Sequence, residues 1–155
     1  MSNPAPAPAT LARSAYRIRR YALRMGEVQG QGYIGQALGW ADVLAVAYRH
    51  AMNYRAADPE WEGRDRFLLS HGHYAIAHYA ALIEAGIVPE EELETYGSDD
   101  SRLPMSGMAT YTPGMEMSGG SLGPRSVHHG ALGLRGLPGA GGRYGSERSA
   151  SVVPR

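Results

Sequence analysis

The chain has 155 residues, 15 Lys and Arg against 15 Asp and Glu, and no cysteine. That length accommodates one modest domain. The balanced charge gives no electrostatic reason to expect nucleic acid or a membrane as partner, and the missing thiols exclude a disulfide frame and a thiolate metal site. No apolar run approaches the roughly 20 residues that span a bilayer. Residues 1–9 form a Pro/Ala-rich tail without a signal core, so a cytoplasmic protein is expected.

Thr10 reads as the cap of a first helix over residues 10–28. Leu11, Ala15, Ile18, Ala22 and Met25 recur at helical spacing, with Arg17, Arg19, Arg20 and Arg24 expected on a solvated face. The glycines of Gly30-Gln31-Gly32-Tyr33-Ile34-Gly35-Gln36-Ala37-Leu38-Gly39 predict a loop whose backbone can approach something closely. Gly30, Gly32 and Gly35 spell Gly-x-Gly-x-x-Gly, but no strand leads into them, which rules against a dinucleotide fingerprint. A second helix is predicted over 40–52, packing through Trp40, Val43, Leu44, Ala47, Tyr48 and Ala51. Pro89 followed by Glu90, Glu91 and Glu92 predicts a short helix after Gly86.

Between these lies Gly63-Arg64-Asp65-Arg66-Phe67-Leu68-Leu69-Ser70-His71-Gly72-His73-Tyr74-Ala75. Phe67-Leu68-Leu69 reads as a short strand buried on both faces. Ser70 to His73 is a tight polar turn. Ile76, Tyr79, Ala80 and Ile83 then mark one face of a helix over 74–85. A strand that delivers a glycine turn and a histidine to a helix N-terminus makes an anion site, because the first backbone N–H groups are unpaired and the helix dipole favours negative charge. His73 is the candidate functional residue there. His71, His73 and His78 do not share the i, i+4 spacing of a helical zinc site, and no metal site is expected in the chain. Pro113-Gly114-Met115-Glu116-Met117-Ser118-Gly119-Gly120-Ser121-Leu122-Gly123 is a second glycine-rich turn able to offer backbone amides to an anion.

Arg64-Asp65-Arg66-Phe67-Leu68-Leu69-Ser70-x-Gly72-His73 resembles the signature of the transketolase N-terminal domain. Ala41-Asp42-Val43-Leu44-Ala45-Val46-Ala47-Tyr48 is similar to that family's helix after its first glycine loop, and the segment from Pro113 to Gly123 is similar to its Gly-Val-Glu-x-Ser-x-Gly-Ser-Leu-Gly. The three stand in family order over roughly residues 16–123. The resemblance implies an α/β thiamine-diphosphate-binding fold, here incomplete and mostly helical, with a short strand of a parallel sheet. It implies two-carbon ketol transfer between sugars or sugar phosphates, with thiamine diphosphate and magnesium as cofactors. His73 matches the histidine near the diphosphate and reaction centre, catalytic and cofactor-binding at once. Gly120, Ser121 and Leu122 match the loop against the cofactor, and Tyr33 and Ser106 fall on substrate-side loops where the family commonly has histidines. The partner implied is a second transketolase-type subunit carrying the pyrimidine-binding domain, with self-association into a dimer, since active sites lie between subunits.

The family's metal-holding Gly-Asp-Gly does not occur in this chain. Residues 124–155 carry five arginines, one acidic residue (Glu147) and abundant Gly, Ser and Pro. Such a composition does not bury enough apolar surface to offset ordering entropy. The expectation is a flexible tail over 1–9, a partial domain over 10–123 truncated after Gly-Ser-Leu-Gly, and a disordered low-complexity basic tail over 124–155. Activity of this chain alone is not expected. A non-catalytic remnant and a basic-tail interaction protein that binds polyanions are the alternatives.

Overall fold

The structure is a computed structural model that describes residues 6–117 and the backbone of residues 150–153. Its elements are α1 (Pro8–Gln29), α2 (Ile34–Val46) continued by a π-helical turn (Ala47–Ala51), β1 (Arg66–Leu69), a 3-10 turn (Gly72–Tyr74), α3 (Ala75–Glu84), a 3-10 turn (Glu90–Thr95) and β2 (Ala150–Val153). The mostly helical α/β character matches the sequence reading.

The core is built around α3, every residue of which is buried. The spacing of Ile76, Tyr79, Ala80 and Ile83 suggested one apolar face. The opposite side carries Ala77, Ala81 and Leu82, and a helix apolar nearly all round belongs inside a core. α1 and α2 pack against α3 and against each other. The buried seam of α1 is Ser14, Ala15, Ile18, Ala22 and Met25, the predicted stripe apart from Leu11, which is half-buried. Alanines recur at the seams (Ala15, Ala22, Ala37, Ala41, Ala80), where small side chains let helices approach closely.

Several expectations are corrected. α1 is not capped by Thr10. It begins at Pro8, which fits the first turn because its missing N–H has no helical partner there, and Ala7 is the N-cap. The predicted glycine loop shrinks to Gly30–Tyr33, since α2 already includes Gly35 and Gly39. A Cβ at either glycine would meet nothing within 4 Å, so neither is required by space, and burial of Ala37 and Ala41 on the same helix outweighs their poor helix propensity. Val43, expected in the packing face, is exposed, as is Ala51. The segment after Pro89 forms a 3-10 turn with Glu90, Glu91 and Glu92 at its start.

The arginines of α1 are not merely a solvated face. Arg17 donates to Glu84 Oε1 at 2.7 Å, Arg19 pairs with Asp42, and Arg24 bridges Glu94 and Glu27. Glu84, at the end of α3, also accepts from Ser14 at 2.7 Å and from Arg49 at 2.6 Å. Burial alone would push its carboxyl up, but the hydrogen bonds from Arg17, Arg49 and Ser14 outweigh it and hold the group below the usual range. One buried carboxylate thereby ties α1, the π-helical turn and α3 together.

β1 buries Phe67 and Leu69, while Arg66 and Leu68 are only half-buried, so the strand has one covered face rather than two. The sequence reading placed it in a parallel sheet. Among the described residues its neighbour is β2, antiparallel, with Phe67 opposite Val152 and Leu69 opposite Ala150. An open strand edge presents unpaired N–H and C=O groups that an extended, β-branched segment such as Ser151-Val152-Val153 satisfies. β2 falls within the segment expected to be disordered; the rest of 124–155 lies outside the described residues.

Candidate functional site

β1 ends at Leu69, and the chain stays extended through His71 (φ −103°, ψ 112°) before the 3-10 turn. The Tyr74 N–H donates to the His71 carbonyl at 3.0 Å, closing that turn. Gly72 is buried and His73 half-buried, one turn ahead of the first residues of α3. The predicted strand–turn–histidine–helix order therefore holds.

A second loop comes to the same place. Gly30 ends α1 in the left-handed conformation (φ 72°), a backbone state natural to glycine. Gly32 (φ 150°) lies so close to α3 that a Cβ there would sit 3.2 Å from Ile76 Cδ1. Tyr33 then lays its ring on His73, with centroids 4.4 Å apart and planes 19° from parallel. His71 meets His73 edge-on at 5.9 Å and Tyr74 at 6.3 Å, and Trp40 contacts Tyr74 at 5.1 Å. Trp40 is thus a packing residue, as its place in the helix pattern suggested.

A third loop packs against the same helix. The Tyr79 hydroxyl donates to the Pro104 carbonyl at 2.9 Å, and a Cβ on Gly107 would sit 3.5 Å from Ala75 Cβ. Ser106, between them, is exposed on a loop held at the start of α3. Of the predicted site residues, then, Tyr33 and His73 touch and Ser106 shares their end of the helix. Gly120, Ser121 and Leu122 lie outside the described residues.

Leading toward them, Glu116 accepts two bonds from Arg64, from Nε at 3.0 Å and from Nη2 at 3.1 Å. Arg64 also donates to the carbonyls of Glu60 and Trp61. This clamp joins the segment before β1 to the second glycine-rich segment.

His78 plays no part in this cluster. It is fully buried, 2.6 Å from the Tyr48 hydroxyl through Nε2, with its ring 4.8 Å from Phe67. Burial lowers its pKa to about 3, so it is neutral. Among the described residues Nδ1 has no hydrogen-bond partner, and no three His, Asp or Glu side chains gather where they could hold one metal ion.

The residues that sequence reasoning missed are those whose partners lie far along the chain. The Tyr33–His73 stack spans forty residues, and the Ser14–Glu84 bond spans seventy. No local pattern marks either. The Arg64–Glu116 pair had a weak signal, since both lie in the segments that carry the family resemblance.

Residues 11–132 match the family described as transketolase, thiamine diphosphate binding domain. A transketolase family protein of Sinorhizobium fredii is 81% identical over 114 residues, 74% of this chain and 41% of that protein. One subunit of the apulose-4-phosphate transketolase of Actinobacillus succinogenes is 35% identical over 122 residues, 79% of this chain and 42% of that protein. The solved transketolase of Leishmania mexicana superposes with a TM-score of 0.68 at 34% identity, covering 72% of this chain and 17% of that one. The chain thus spans less than half the length of each of these relatives.

Proposed function

Because the chain belongs to the transketolase family through its thiamine diphosphate binding domain, we propose that it is the diphosphate-side part of an enzyme of thiamine-diphosphate-dependent ketol transfer. The reaction class is two-carbon transfer between sugars or sugar phosphates. The observation that carries this reading is the meeting of Tyr33 and His73 at the start of α3, where the positive end of the helix dipole favours the negative charge of a diphosphate.

The residues present fit such a group. Gly32 brings the first loop within contact of α3, and neither nitrogen of His73 is hydrogen-bonded by a described residue. The α3 N-terminus and His73 would hold the diphosphate side, with Gly120, Ser121 and Leu122 joining them by family pattern. Thiamine diphosphate supplies the carbanion chemistry when bound. His73 gives or takes a proton at the reacting oxygen, a role typically worth about 10²–10⁴-fold. Tyr33 and Ser106 face the sugar with hydroxyls. Magnesium accompanies the diphosphate in this proposal on the family pattern alone, because Gly-Asp-Gly is not in the sequence.

The pyrimidine half of the cofactor needs walls from a second chain of transketolase type, and self-association is compatible with that arrangement. The Actinobacillus relative, itself named as one subunit of a transketolase, supports this split organisation. The division into a tail over 1–9, a domain over 10–123 and a basic tail over 124–155 belongs to the same proposal, as does a cytoplasmic site of action. No helix of the described residues is long and apolar enough to cross a membrane. The test is ketol transfer by the chain reconstituted with a subunit bearing the pyrimidine-binding domain. His73→Ala is expected to slow turnover by about 10²-fold or more with folding intact, and unchanged turnover would refute the assignment.

A further inference from the structure

We propose that Tyr33 is a positioning residue for His73: the stacked phenol ring selects the one side-chain conformation of the imidazole that serves the site. This rests on the assignment of His73 to proton transfer above. No described residue hydrogen-bonds either nitrogen of His73, and the ring contacts that orient it are the face of Tyr33 at 4.4 Å and the edge of His71 at 5.9 Å.

Tyr33 is held for the purpose from its backbone. Before it, Gly30 turns the chain out of α1 and Gly32 rests against Ile76. After it, the Ala37 N–H donates to the Tyr33 carbonyl at 3.2 Å and starts α2. The side chain caps no helix and its hydroxyl bonds to no described residue. It is 45% exposed, so it is not placed there to fill the core. Its described ring contact is with His73. A nearly parallel aromatic pair adds enough attraction to favour one conformation over the alternatives by about 2- to 10-fold.

The experiment uses the full chain with ¹³C-labelled histidine. The His73 ring C–H resonances are expected to carry an upfield ring-current displacement in the native protein and in Tyr33→Phe, and to lose it in Tyr33→Ala. Gly32→Ala, which pushes the loop off Ile76 without removing the ring, is expected to reduce it. In the reconstituted enzyme Tyr33→Phe keeps the ring and loses only the sugar-facing hydroxyl, and Tyr33→Ala should turn over about 2- to 10-fold more slowly than Tyr33→Phe. With His73→Ala already present, Tyr33→Ala should turn over no more slowly than Tyr33→Phe. His73 resonances unmoved by Tyr33→Ala, or Tyr33→Phe as slow as Tyr33→Ala, would overturn the proposal. Native turnover in His73→Ala would instead overturn the assignment of His73, and the resonances would still decide the stacking.

Discussion

Acid should weaken this fold through His78 before any buried carboxylate titrates. The imidazole is enclosed by Tyr48 and Phe67, and burial lowers its pKa from 6.5 to about 3. The unfolded chain therefore binds a proton that the folded chain refuses between those values. Stability contributed by the neutral ring is fully present above pH 6.5 and is lost as pH falls toward 3. The gap, at about 1.4 kcal/mol for each pH unit, comes to about 5 kcal/mol in all and about 2 kcal/mol by pH 5. Against the 5–15 kcal/mol typical of domains, that is a large share. The perturbation is His78→Gln, which keeps a polar partner for the Tyr48 hydroxyl but does not titrate. Urea unfolding followed by Trp40 and Trp61 fluorescence at pH 7.5, 6 and 5 gives the slopes. The native chain should lose about 2 kcal/mol over that range and the variant under about 0.5 kcal/mol. Glu84, whose pKa is lowered from 4.5, does not titrate in this window. Parallel slopes for the two proteins would refute the reasoning.

Glu84→Ala should destabilise the fold by about 2–3 kcal/mol in the same assay, because Ser14 loses its buried acceptor while the partly exposed Arg17 and Arg49 can rehydrate; a loss under about 0.5 kcal/mol would contradict the junction described for it. Arg64→Lys should lose about 1–2 kcal/mol, since an ammonium cannot reproduce the two-pronged bond to Glu116. Native stability in that variant would show that the clamp is dispensable.

The strand, the turn and the start of α3 could be read from the sequence because their signals are local. An apolar run, a glycine between two histidines and a change of period fall within about a dozen residues. The buried stripe of α1 was legible for the same reason, since Ala15, Ile18, Ala22 and Met25 repeat at helical spacing. The back of α3 was not, because alanine is neutral in such patterns and His78 and Glu84 look like surface residues until their partners are known. Those partners, Tyr48 on the π-helical turn and Ser14 and Arg17 on α1, are set by helix packing. Gly35 and Gly39 misled for a related reason: tertiary burial of their neighbours decided a helix that propensity alone disfavours. The site divides the same way. His73 was marked by its own motif, whereas its stacking on Tyr33 depends on how α1 hands the chain across α3.

The central claim is that this chain supplies one side of a thiamine diphosphate site and needs a second chain for the other. Calorimetric titration of thiamine diphosphate with magnesium tests it most directly, run on the chain alone and on its complex with a subunit bearing the pyrimidine-binding domain. A helix N-terminus contributes roughly 0.3–1 kcal/mol when exposed, far below the about 8 kcal/mol of a micromolar site. The account predicts a stoichiometric site in the complex and none tighter than about 10 μM in the chain alone. A tight site in the isolated chain, or none in the complex, would contradict it.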